Sequence, residues 1–149
     1  MEKLDSIYQW LHEEGVYLFD RQLPFSNEDT KALTIKLTAP EVYGVFLDKG
    51  RIQSSAEETS AVAHEAGHYA TGATHSLHSP FDLIEKHEYK ANKWAVKRLV
   101  TSEALDQAVA EGHTEIRDLA EYFGVTEDFM RKAVCWYTHG NLATELYFD

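Results

Sequence analysis

Five residues near the middle of the chain, His64-Glu65-Ala66-Gly67-His68, constrain it more than any other stretch. Histidines four apart on a helix leave from one face, so both imidazoles can reach a single small cation. That works only if the segment is helical, and its surroundings agree. Ser54 or Ser55 supplies an N-cap, Glu57 and Glu58 lie where the helix dipole favours negative charge, and Gly72 supplies a stop. These signals predict a helix from about 55 to 71. Glu65, next to the first histidine, is aimed where it can take a proton from a metal-activated water. Gly67 costs about 0.8–1 kcal/mol relative to alanine inside a helix, a cost that makes sense where a second backbone must come close.

A catalytic zinc takes three protein ligands and keeps one position open. A second helix, predicted over about 82–100, offers Glu88 and Glu85, with Asp82 just ahead. Glu88 is preferred because Ala91 and Ala95 lie one and two turns beyond it, with Trp94 beside them. Small residues there let this helix approach the one carrying Gly67. Asn92, four residues after Glu88, is placed to hold that carboxylate by a hydrogen bond.

Composition sets the surroundings of this group. Eight histidines lie at 12, 64, 68, 75, 78, 87, 113 and 139, and five of them fall between 64 and 87. With 14 Lys and Arg against 25 Asp and Glu, the formal charge is −11, which repels phosphate backbones and anionic lipid. Neither nucleic acid nor a membrane is an expected partner. The start, Met1-Glu2-Lys3-Leu4-Asp5, is charged, and no run approaches the roughly 18 apolar residues of a membrane span. The one cysteine, Cys135, sits in Ala133-Val134-Cys135-Trp136-Tyr137 and reads as an inert core thiol. A cytoplasmic location is expected.

No linker, repeat or low-complexity stretch divides the 149 residues, so one domain is expected over 1–149. Leu4, Ile7, Tyr8 and Leu11 predict a first helix over about 2–14, stopped by Gly15. Segments of β-type composition follow at 16–19, 33–37 and 42–47. Asp48-Lys49-Gly50 then reads as a turn, with 51–54 as a short return strand. Further helices are predicted from Thr101 or Ser102 to Gly112, over about 115–122 and over 127–138. The expected fold is α+β: a small antiparallel sheet packed on a helical core, with the histidine helix over 55–71 and a helix-turn-helix-like pair at the C-terminus.

The H-E-x-G-H helix, followed 20 residues after its last histidine by E-x-x-A-N-x-W-A (Glu88, Ala91, Asn92, Trp94, Ala95), resembles the ImmA/IrrE family of metallopeptidases. The resemblance covers most of the chain. It implies that His64, His68 and Glu88 are zinc ligands and that Glu65 is the catalytic base. It also implies a protein substrate, a helix-turn-helix repressor of a phage or mobile element whose cleavage derepresses genes. A different function using the same ligands is a non-catalytic anti-repressor, which binds zinc and sequesters the repressor.

A peptidase mechanism also wants a donor for the developing oxyanion. His75, His78, His87, Tyr69 and Tyr89 are candidates, none at a motif-defined position. His75 and His78 lie in the loop between the two ligand helices, where they could also hold a second ion. Val42 to Leu47 offers an edge on which an extended substrate could add as a strand. Ile116 to Tyr137 has helix-turn-helix spacing, but the predicted second helix carries only Arg131 and Lys132 beside Glu127 and Asp128. Packing or protein recognition is therefore favoured there over DNA binding.

Overall fold

The computed structural model describes residues 3–22, 31–38, 41–72 and 81–148. Helix α1 (Lys3–Glu13) leads into strand β1 (Tyr17–Asp20), then β2 (Ala32–Thr38) and β3 (Glu41–Leu47). The remainder is helical: α2 (Ser55–Thr71), α3 (Phe81–Leu99), α4 (Ser102–Ala110), α5 (Ile116–Phe123) and α6 (Glu127–His139). The class is α+β, as the patterning predicts. No helix among the described residues is long and apolar enough to cross a membrane.

Caps hold the helices where the sequence places them. The Ser54 hydroxyl accepts from Glu57 N (3.1 Å) and the Thr101 hydroxyl from Ala104 N (3.1 Å), each cap contributing about 1 kcal/mol. Gly72 closes α2 in the left-handed conformation at φ 65°, which glycine adopts without strain. The periodic residues of α1 are buried as expected, Ile7 at 1% and Leu11 at 0% exposure.

The sheet differs from the expected antiparallel one. Its order is β1-β3-β2, with β2 antiparallel to β3 and β1 parallel to it. Strand β3 is therefore central, so Val42 to Leu47 is not an edge; the edges are β1 and β2. This also removes the return strand expected at 51–54, because both sides of β3 are already paired. Asp48-Lys49-Gly50 does turn the chain, but into a 3-10 turn at Lys49–Arg51, where Arg51 N donates to Asp48 O (3.0 Å). The chain then goes directly to the Ser54 cap. A further 3-10 turn, Thr144–Leu146, follows α6 and has no counterpart in the sequence reading.

Helix α2 is the centre of the packing and touches α1, α3, β2 and β3. Its interior face is small, with Val62, Ala63 and Ala66 fully buried, and meets Val45, Ala95, Val96 and Val100 in one core. Burying each larger aliphatic side chain contributes about 1.5–3 kcal/mol. Helix α6 packs on α3 and α5, with Met130 and Ala133 in the same core. Cys135 is fully buried, donates to Asn141 Oδ1 (3.6 Å), and has its thiol pKa pushed up by burial and then by Glu145. It is the inert thiol expected.

Candidate metal centre

His64 and His68 leave α2 on one face, their Nε2 atoms 3.2 Å apart and their rings perpendicular at 89°. Glu88 comes to them from α3. Its Oε2 lies 2.7 Å from His64 Nε2 and its Oε1 lies 3.4 Å from His68 Nε2. One donor atom from each residue falls within 4.8 Å of the other two. Two ligands around a tetrahedral zinc with bonds near 2.1 Å sit roughly 3.4 Å apart. The three groups already stand close to that spacing, and two imidazoles with a carboxylate suit zinc or a similar transition metal better than calcium or magnesium. The residues present fit such an ion.

Gly67 makes this approach possible. A Cβ built on it would stand 2.4 Å from Ala91 O and 3.0 Å from Ala91 C and Cα, so only glycine lets α3 lie this close. Ala91 and Ala95, both fully buried, complete the contact. Glu88 is one turn before Ala91 and is carried to the histidines by that packing.

Asn92 is near the centre but not on the expected partner. His64 Nδ1–H donates to Asn92 Oδ1 (2.7 Å), and Asn92 makes no bond to the Glu88 carboxylate. The carboxylate turns instead toward the two imidazoles. This bond fixes the His64 tautomer: with Nδ1 occupied, Nε2 is the nitrogen facing the centre. Burial by itself would raise the Glu88 carboxyl pKa. Hydrogen bonds from His64 and His68, then their charge, outweigh burial and hold it well below the usual carboxylate range. Glu88 therefore stays ionised, the state that metal binding would require.

Glu65 is 7% exposed and makes no ion pair with any described residue. Its Oε1 accepts from the Thr34 hydroxyl of β2 at 2.6 Å. Both carboxylates and His64 line an open cleft of about 630 Å³. Its floor is α2, one wall is Lys31 with the first residue of β2, Ala32, and the far wall is α6 at Phe129 and Lys132 with its cap Thr126. Thr126 N donates to Ser60 Oγ (3.1 Å), which ties the start of α6 to α2.

The other candidates fall elsewhere. Glu85 is exposed and outside the three-residue group; the side chain of Asp82 and the loop with His75 and His78 lie outside the described residues. Tyr69 donates to Glu14 Oε1 (3.0 Å) and packs edge-on to Trp10 and Tyr43, which places it on the α1 side of the molecule. Tyr89 is exposed against Trp136. Neither tyrosine nor His87 is among the described residues lining the cleft. Helices α5 and α6 are joined by Gly124-Val125-Thr126, but the first turn of α6 stands in the cleft wall, where a DNA-reading pair would present that turn to a groove. The sequence reading missed Thr34 and the α6 wall, since no periodicity or motif marks a contact made between distant elements.

Comparison with known families agrees with this arrangement. No curated protein and no solved structure gives a significant match. One family model, described as the IrrE N-terminal-like domain, Peptidase_M78, matches residues 11–134, from the end of α1 into α6. With most of its length matched, including the helices that bear the His-His-Glu group, the chain belongs to the Peptidase_M78 family of IrrE N-terminal-like domains.

Proposed function

We propose that the protein is a zinc-dependent endopeptidase that cleaves a DNA-binding, helix-turn-helix repressor of a phage or mobile element in the cytoplasm. The observation that carries the reading is the convergence of His64 Nε2, His68 Nε2 and the Glu88 carboxylate in an open cleft, beside a buried Glu65 that pairs with no cation among the described residues. Family membership supports a metallopeptidase. The repressor substrate follows from the resemblance to ImmA/IrrE sequences, and the −11 charge suits a basic protein partner.

His64, His68 and Glu88 would hold the ion. Zinc bound there supplies a Lewis acid that polarises the scissile carbonyl and makes water nucleophilic near neutral pH. Asn92 holds His64 in the tautomer that presents Nε2. Glu65 takes the proton of the attacking water and passes it to the leaving amine. An extended substrate would add along β2, the edge strand whose Ala32 borders the cleft, in place of the central β3.

The test is incubation of zinc-loaded protein with the repressor, read by mass spectrometry of the fragments, alongside Glu65→Gln. Cleavage by the wild type and its loss in the variant are expected. If the variant still derepresses the target genes in cells, the protein acts by sequestration and the peptidase reading falls.

A further inference from the structure

We propose that Thr34 is a positioning residue for Glu65, setting the carboxylate that serves as base from the strand beside which substrate lies. The inference rests on the reading of Glu65 as the base. In the β2–β3 register Thr34 pairs with Val45 and Ala32 with Leu47, so these four side chains share one face of the sheet. Val45 and Leu47 are buried and Ala32 packs against the same core, so valine would satisfy the packing at position 34. A hydroxyl in such a row needs a polar partner. Its partners are both on Glu65: Oε1 at 2.6 Å and the main-chain oxygen at 3.1 Å. One hydroxyl proton serves both acceptors, and the shorter contact goes to the carboxylate.

The reverse accounting points the same way. Among the described residues, the Thr34 hydroxyl is the hydrogen-bond donor to the Glu65 carboxylate, and no cation pairs with it. A glutamate side chain has three rotatable bonds, and burial alone does not choose among their settings. The bond to Oε1 selects one and leaves the other oxygen, Oε2, without a hydrogen bond to any described residue, on a side chain that lines the cleft. Because β2 is an edge strand, a shift of this strand on substrate addition would move the base with it.

Acetohydroxamate tests this without the natural substrate. A hydroxamic acid chelates zinc as its anion and gives its proton to an adjacent carboxylate, so its affinity reports where that carboxylate stands. Zinc affinity and acetohydroxamate affinity would be measured by titration calorimetry for the wild type, Thr34→Val, Thr34→Ser and Glu65→Gln, with urea unfolding as a check on folding. We expect zinc affinity to be unchanged throughout. Acetohydroxamate should bind roughly tenfold more weakly to T34V, as expected for loss of a hydrogen bond to a charged group. T34S should recover most of the affinity, and E65Q should be at least as weak as T34V. If T34V binds the probe like the wild type while E65Q does not, the positioning role is wrong and the base survives. If wild type takes up no zinc, the metal-centre reading falls and this inference with it; if E65Q binds the probe like wild type, Glu65 is not the base and this inference falls while the metal centre stands.

Discussion

Gly67→Ala separates helix propensity from packing because the two act in opposite directions. Alanine is about 0.8–1 kcal/mol better than glycine inside a helix, so propensity alone would stabilise the variant. The new methyl would stand 2.4 Å from the Ala91 carbonyl oxygen, where ordinary contact begins at 3.4 Å. The obstacle is main chain, so no rotamer relieves it and α2 and α3 must part by about 1 Å. Overpacking of this kind costs about 1–3 kcal/mol, and a backbone clash belongs at the upper end. A net loss of about 2 kcal/mol follows, which moves a urea midpoint by roughly 1 M. Glu88 rides on α3 one turn from Ala91 and moves with it. Metal–ligand distances tolerate about 0.2 Å, so zinc affinity should fall at least tenfold. Urea unfolding and competition with a chromophoric chelator measure the two effects. A variant more stable than the wild type by about 1 kcal/mol, with unchanged zinc affinity, would refute the claim that this glycine sets the helix separation.

Replacing two of the acidic candidates in turn tests the choice between them: Glu88→Gln should abolish stoichiometric zinc uptake, measured by metal analysis after dialysis, and Glu85→Gln should leave it intact. Asn92→Ala should weaken zinc binding by about 10- to 100-fold without abolishing it, the usual effect of removing a group that orients a ligating histidine. The Tyr137 hydroxyl donates to Val100 O (2.7 Å), and Tyr137→Phe leaves that carbonyl unpaired, costing about 1–3 kcal/mol in urea unfolding. Alkaline stability has a definite sign. Tyr8 is raised by burial and then by its bond to Glu58, and Tyr137 by burial and then by Glu103. Raised phenols contribute stability that is complete below pH 10 and lost as pH climbs above it, where the unfolded tyrosines ionise. The unfolding midpoint should fall above pH 10, and less steeply in a Tyr8→Phe, Tyr137→Phe double variant.

Helices were legible wherever the signal is local. Ser54 and Thr101 cap within three residues of themselves, and Leu4, Ile7 and Leu11 mark an inward-facing stripe by spacing alone. The strands were legible as segments, but their partners were not. Nothing inside Val42 to Leu47 says that it takes β1 on one side and β2 on the other, and the return strand failed because pairing capacity belongs to the sheet rather than the turn. The same division runs through the site. Spacing on one helix placed His64 and His68 together, and small residues at Gly67, Ala91 and Ala95 marked a close crossing that the structure contains. The partner of Asn92 was misjudged, because an i,i+4 relation on a helix describes proximity of two side chains and not which acceptor wins. The bond that forms uses the Asn92 oxygen, which accepts from His64, whereas the Glu88 carboxylate could have taken only the Asn92 amide hydrogens.

The five-residue motif supplies two histidines and a carboxylate, but the arrangement of the site draws on other elements as well. His64 is turned by Asn92 of α3, Glu65 is held by Thr34 of β2, and Glu88 reaches the centre only through the Gly67–Ala91 contact. The fourth side of the cleft comes from α6, tied to α2 by Thr126 and Ser60. The site therefore depends on both α3 and β2, two neighbours of one central helix. Correct geometry requires that β2, α3 and α6 all dock, and a fragment keeping the motif without them would keep the two histidines but lose Glu88 and the Thr34 contact to Glu65. The −11 charge fits this arrangement. A surface that repels polyanions leaves the cleft to protein segments, and the α6 wall, with Phe129 beside the Lys132–Asp128 pair, offers such a segment both an apolar contact and fixed charges of each sign.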